Sequence, residues 1–170
     1  WYPINWHNLV WTSNGLASGN SLTEAIRQAL CEVIERENIC RLLLDERTAP
    51  DIDQSTITHP IIRELLTQAE EIGISFTLKD ISYDWGIPTV LAYGEHEGKE
   101  GSCTHRGAGH GAHPDPNLAV LRSLAEYFEG YAFTLRHFPE FGTAWEGLST
   151  MFPPRHMGFH ILFNTHMLAP

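Results

Sequence analysis

Positive charge is scarce in this chain: 11 Lys and Arg stand against 21 Asp and Glu in 170 residues, for a net charge of −10 with histidines neutral. A domain with so little basic surface is a poor match for nucleic acid or an anionic membrane, since binding either requires neutralising phosphates. Long apolar runs are absent as well. None approaches the roughly 20 residues a bilayer-spanning helix needs, and the N-terminus lacks the layout of a signal peptide. Cysteine is limited to Cys31, Cys40 and Cys103. An odd number at irregular spacing argues against a disulfide scaffold and for a reducing compartment, so the cytoplasm is the expected location. Internal repeats and low-complexity tracts are also missing. The chain opens on Trp1 rather than Met, and we expect residues 1–170 to be a single, partial domain cut from a longer protein.

What is present is an alternation of helical and strand-like segments, which predicts an α/β or α+β domain with helices packed on a mixed sheet. Residues 6–12 are aromatic and β-branched and predict a strand. Ser21 and Glu24 have the spacing of a capping box and open a helix running to about Asn38, with Cys40–Leu44 continuing it after an irregularity. Residues 45–59 are polar and predict a surface loop. Pro60–Ile72 returns to helical spacing, with Pro60 in the first turn and Gly73 as C-cap. Ser75–Ile81 and Pro88–Gly94 predict strands joined by a turn over Tyr83–Gly86, and Gly98–Gly101 predicts another turn. Asp115 as N-cap and Pro116 at the first helical position open a helix to about Tyr131.

The first helix holds the most informative pattern. At about 100° per residue, Leu22, Ile26, Ala29, Leu30, Val33 and Ile34 share one side and predict the buried stripe. Glu24, Gln28, Glu32 and Glu35 gather within roughly a quarter-turn opposite, with Arg36 beside them and Asn20 just ahead. Glu32 and Glu35 are like-charged neighbours three apart, a destabilising arrangement of a few tenths of a kcal/mol. By periodicity alone this is either a solvated face or a row of hard oxygen ligands for divalent cations, with Arg36 placed to meet a phosphate.

Residues 103–113 hold three glycines and three histidines. They predict either a tight connection or a loop whose backbone N–H groups cradle an anion. The spacing matches neither the P-loop nor the dinucleotide fingerprint. Cys103, His105, His110 and His113 are candidate zinc ligands, although their spacing fits no standard finger. In the following helix Leu118, Leu121, Leu124, Ala125 and Phe128 predict the buried stripe. Arg122 and Glu126 sit four apart, either as a surface ion pair or as a pair serving phosphates and a metal or ribose.

Taken together, three blocks in order resemble the YcaO family: residues 13–20 (SNGLASGN) with Glu24-Ala25 and Gln28-Ala29-Leu30-x-Glu32-x-x-Glu35-Arg36; then Asp84-x-Gly86-Ile87-Pro88; then Gly107-x-Gly109-x-Gly111-Ala112-His113-x-Asp115-Pro116 followed by Arg122-x-x-x-Glu126. The resemblance covers roughly residues 12–130 and thins over 131–170. It implies a YcaO-type domain using ATP and Mg2+ to activate a peptide backbone amide by phosphorylating its oxygen. The products would be azolines (cyclodehydratase activity) or thioamides (thioamidation). It further implies that Asn20, Glu24, Gln28, Arg36, Arg122 and Glu126 bind ATP and that Glu24, Glu32 and Glu35 hold Mg2+. A peptide or protein substrate, a TfuA-like or E1-like partner protein and a homodimer are the associations it brings. Departures from the family are the missing N-terminal part of the nucleotide site and the length, so this fragment alone is expected to turn over little ATP. The alternative is a non-catalytic ATP-binding accessory or scaffold protein.

Overall fold

The computed structural model describes residues 13–44, 48–97 and 103–137. The expected strand at 6–12 and turn at 98–101 lie outside those residues. Two of the expected strands form: β1 (Ile74–Asp80) and β2 (Thr89–Glu97), the second buried on both faces from Thr89 to Gly94. They pair antiparallel, with Ile74 opposite His96 and Asp80 opposite Val90. The glycine-histidine segment is not a loop. It forms a third strand, β3 (Cys103–Ala112), antiparallel to β2 with Leu91 opposite His110. The described sheet has the order β1-β2-β3 and is antiparallel throughout rather than mixed, which makes this an α+β domain.

Glycine makes the third strand possible and also disguises it. On one face of β3, Gly109 and Gly111 lie directly against α3 (Pro116–His137). A Cβ on Gly109 would fall 2.0 Å from the Ser123 carbonyl oxygen, and one on Gly111 2.3 Å from that of Ala119. The helix answers with small residues at the same contacts, Ala119 and Ser123, both fully buried. Its buried stripe is therefore Ala119, Val120, Ser123, Leu124 and Tyr127. The expected stripe is rotated: Leu118 and Ala125 are exposed, Leu121 and Phe128 only half-buried, and Leu124 alone is shared. Asp115 caps this helix as expected, accepting the Asn117 N–H at 2.9 Å.

Helix α2 (Pro60–Glu71) joins α3 on the same face. Ile62 and Leu66 meet Leu78, Val90, Ala92, Val120 and Leu124 there. Its end follows the sequence: Gly73 has φ +85°, and its N–H returns to the Glu70 carbonyl. The opposite face of the sheet receives α1 (Leu22–Leu44), one continuous helix without the expected break near Asn38–Cys40. Ile39 and Leu42 pack there with Ala49, Ile81, Leu91 and Ala108.

The seating of α1 reverses the expected orientation of its faces. Cys31, Glu35, Asn38, Ile39 and Leu42 are buried, whereas Leu22, Ile26, Leu30 and Val33 are 77%, 50%, 58% and 49% exposed. A helix is a rigid rod, so the face that Ile39 and Leu42 turn inward at its C-terminal half is also inward at its N-terminal half. That face carries Glu24, Gln28 and Glu35. The acidic row thus points into the protein and the apolar stripe points away.

Candidate functional site

β3 has no strand neighbour beyond β2 on its far side among the described residues. Its outer edge is where α1, from one face of the sheet, and α3, from the other, come together. Side chains rather than a strand meet the free backbone there. The Glu126 carboxylate accepts the His110 N–H, and Arg122 donates to the Ala112 carbonyl at 3.0 Å. Because backbone groups two apart on a strand point the same way, a pair spaced four apart on the helix can grip both.

Glu35 arrives at the same edge from α1. Its side chain is 11% exposed, and Arg36 Nη2 lies 3.7 Å from its Oε1. Burial pushes the Glu35 carboxyl above its ordinary range, and the nearby Glu126 carboxylate pushes it further; Arg36, His110 and the Ala112 backbone act against this. Glu126 goes the other way. Burial raises it, but the His110 ring and N–H, with Arg36, outweigh burial and hold it below its usual range. Two carboxylates crowded at one edge with opposite displacements mark a site rather than a solvated face.

His110 was not singled out for this role by the sequence. Strand alternation puts it on the α1 side of β3, opposite Leu91, where its Nδ1 lies 3.6 Å from Glu126 Oε2. Arg27 was also missed: together with Arg122, and after burial, it lowers His113. His113 itself is engaged locally, its Nδ1 accepting the Asp115 N–H at 2.9 Å. The signal for His110 was available in residues 107–111, where glycine at every second position is a period of two. That is a strand pattern rather than a loop pattern.

Of the expected site residues, Glu35, Arg36, Arg122, Glu126 and the half-buried Gln28 and Glu32 line this edge and the α1 face approaching it. Asn20 and Glu24 lie farther off, with Glu24 roughly 16 Å from Glu35 along the axis at about 1.5 Å per residue. There they build the capping box. The Glu24 N–H donates to Ser21 Oγ and its carboxylate accepts the Asn20 N–H, at 3.2 and 2.8 Å. Among the described residues no three His, Cys, Asp or Glu side chains are already gathered as a metal centre; the side chains of Cys103 and His105, from the zinc set, lie outside that description. Buried polar atoms without partners nonetheless concentrate here: Gln28 Oε1, Arg36 Nε and both ring nitrogens of His110. Such atoms are rare in folded proteins. An oxygen-rich face with an arginine and unspent donors suits a divalent cation carrying phosphates.

The fold and this edge therefore define an α+β domain with an acid-and-arginine site between two helices and a strand. The chain belongs to the YcaO family: the model of the YcaO cyclodehydratases, ATP- and Mg2+-binding, matches residues 1–157. It is 37% identical over 122 residues to an uncharacterised protein of Methanothermobacter thermautotrophicus, covering 71% of this chain and 31% of that one. It is 33% identical to an uncharacterised protein from the tfuA 3′ region of Rhizobium leguminosarum bv. trifolii, covering 68% of this chain and 29% of that one. The structure of YcaO from Methanopyrus kandleri bound with AMPPCP and Mg2+ superposes with a TM-score of 0.62 at 30% identity, over 74% of this chain and 33% of that one. The chain thus spans about a third of the length of these relatives.

Proposed function

We propose that the protein acts in ATP- and Mg2+-dependent activation of a peptide backbone amide. The observation that carries this is the meeting of Glu35, Arg36 and the Arg122/Glu126 pair at the open edge of β3, with the unpartnered polar atoms among them. The family's description and the Mg2+ and nucleotide analogue in the Methanopyrus relative support the same reading. Bound Mg-ATP supplies the phosphoryl group that makes an amide oxygen a leaving group. Glu32 and Glu35 would hold one cation, and Glu24, in the first turn, would serve a second one. Asn20, Gln28, Arg36 and Arg122 would contact the nucleotide, and Glu126 would fix the strand edge while facing the metal. Acidic ligands suit this task because oxygen donors are what Mg2+ requires, and arginine forks match phosphate oxygens.

The product would be an azoline or a thioamide. The Rhizobium relative's position beside tfuA favours the thioamide branch and a TfuA-like partner. Residues 1–170 would form one part of the family domain in the full-length protein, working on a peptide or protein substrate in the cytoplasm. The test is phosphate release by the full-length protein with candidate peptides, followed by mass analysis of the peptide. Loss of one water indicates an azoline and exchange of oxygen for sulfur a thioamide. Nucleotide binding without peptide-dependent phosphate release would favour an accessory role. Within this reading Glu32→Gln lowers Mg-ATP affinity by about tenfold or more while leaving the thermal midpoint in place, measured by isothermal titration and calorimetry. Unchanged affinity would return Glu32 to the solvated surface.

A further inference from the structure

We propose that Asn38 is a positioning residue for the nucleotide site: through a buried hydrogen bond to Thr89 it sets α1 on the sheet, so that Glu35 and Arg36 face the strand edge held by Arg122 and Glu126. This rests on reading that edge as the site, but it concerns two residues outside the expected set. It also gives a task to the second family block, Asp84–Pro88, from which no expected site residue comes.

Asn38 and Thr89 are both 0% exposed. Asn38 Nδ2 donates to Thr89 Oγ1 at 2.7 Å. The Thr89 hydroxyl donates in turn to the Ile87 carbonyl at 3.2 Å, so toward α1 its oxygen can only accept. The Thr89 N–H goes to Ser82 Oγ at 2.9 Å, and the Pro88 carbonyl takes the His113 N–H at 3.0 Å. The turn and the end of β3 are thereby one bonded unit, and Asn38 is the side chain by which α1 holds it from within. From outside, Arg41 meets the same turn, with Nη1 3.6 Å from Asp84 Oδ2 and its guanidinium over the Tyr83 ring. Solvent weakens that contact, since the Asp84 side chain is 93% exposed.

The buried bond sits where it can place the site. Thr89 pairs with Ala112 across the sheet, and the Ala112 carbonyl is the one that Arg122 Nη1 contacts at 3.0 Å. Asn38 lies three residues after Glu35 on α1, about 4.5 Å farther along its axis and on the same face. The bond therefore pins α1 within one turn of Glu35, on the strand neighbour of the residue that anchors Arg122. Ile39 and Leu42 supply the apolar contact of this half of α1, but apolar packing is non-directional and tolerates a small slide or rotation that a hydrogen bond does not. Asn38 is better suited to fix geometry than to add stability. Its Oδ1 is buried without a partner, and an apolar side chain of similar shape would fill the slot without that desolvation cost.

Isothermal titration of Mg-ATP and thermal unfolding of the full-length protein, with Asn38→Leu/Thr89→Val, Thr89→Val and Thr89→Ser, test this. The paired apolar exchange removes donor and acceptor together, so its thermal midpoint should stay within about 3 °C of wild type or rise. Its Mg-ATP affinity should nevertheless fall by about tenfold or more. Thr89→Ser keeps the hydroxyl and should hold affinity within about threefold of wild type, whereas Thr89→Val should lose it as the pair does. Wild-type affinity in the paired variant, or affinities that simply follow the midpoints across all three, overturns the proposal and leaves the nucleotide site standing. A wild-type protein that binds no Mg-ATP overturns the site and the proposal together. If the paired variant does not fold, Thr89→Ser against Thr89→Val decides, and equal affinities overturn the proposal.

Discussion

Glu35 and Glu126 occupy one edge of the sheet yet contribute to pH dependence with opposite signs. A carboxyl raised above its ordinary value stabilises the fold in its protonated form. For Glu35 that contribution is complete below about pH 4.5, its ordinary value, and is lost as pH rises through the folded-state value. Glu126, held low, contributes stability that is present above its ordinary value and is lost as pH falls through the folded-state one. In the absence of divalent cations, Glu35→Gln should therefore raise the thermal midpoint at neutral pH. The gain should shrink to nothing as pH drops below about 4, where wild-type Glu35 is protonated as well. Thermal unfolding in a chelator across that pH range reads both arms. A Glu35→Gln midpoint below wild type at neutral pH would mean that the carboxylate is already stabilised by protein groups alone.

At the scale of the elements, β1, β2 and the helix ends were legible, and β3 and the helix faces were not. β1 and β2 are short β-branched and aromatic runs between turn residues, and Asp115-Pro116 and Gly73 punctuate their helices for backbone reasons that tertiary contacts do not override. Periodicity in α1 identified an apolar face and a polar face. Which face turns inward depends on what the neighbours supply, and here the strand edge and Arg122/Glu126 await the polar one. β3 escaped notice because its α3-facing positions are glycines, which present no apolar side chain to alternate with. His110, taken in the sequence only as a candidate zinc ligand on a loop, was thereby not placed beside Glu126. Two comparisons follow. Leu42→Ala, in the packed half of α1, should cost about 2–5 kcal/mol, whereas Leu30→Ala, on the exposed stripe, should stay within about 0.5 kcal/mol. Gly109→Ala, whose Cβ meets the Ser123 carbonyl at 2.0 Å, should cost about 3 kcal/mol, the upper end of the overpacking range. Gly130→Ala, in α3 with nothing within 4 Å, should gain about 0.5–1 kcal/mol. Urea unfolding of the four variants measures all of these. A large loss at Leu30 would reinstate the apolar stripe as core.

Across the whole molecule the excess of acid has two separable effects. A net charge of −10 repels itself in the compact state, and any salt that screens it relieves that repulsion. The edge of β3 is different: there Glu35 and Glu126 are held at fixed positions by α1 and α3, so a divalent ion meets a local arrangement and not only a diffuse field. Raising KCl from low to physiological ionic strength should therefore raise the thermal midpoint of the 170-residue chain modestly, equally in wild type and Glu35→Gln. MgCl2 at matched ionic strength should raise wild type further. Binding at ten times the dissociation constant adds about 1.4 kcal/mol through the folded state alone. Glu35→Gln should lose most of that excess while keeping the KCl effect, because it removes a ligand and only one of the 21 acidic side chains. If Mg2+ and K+ act alike once ionic strength is matched, the acid of this chain works only as a field and the edge of β3 holds no ion of its own.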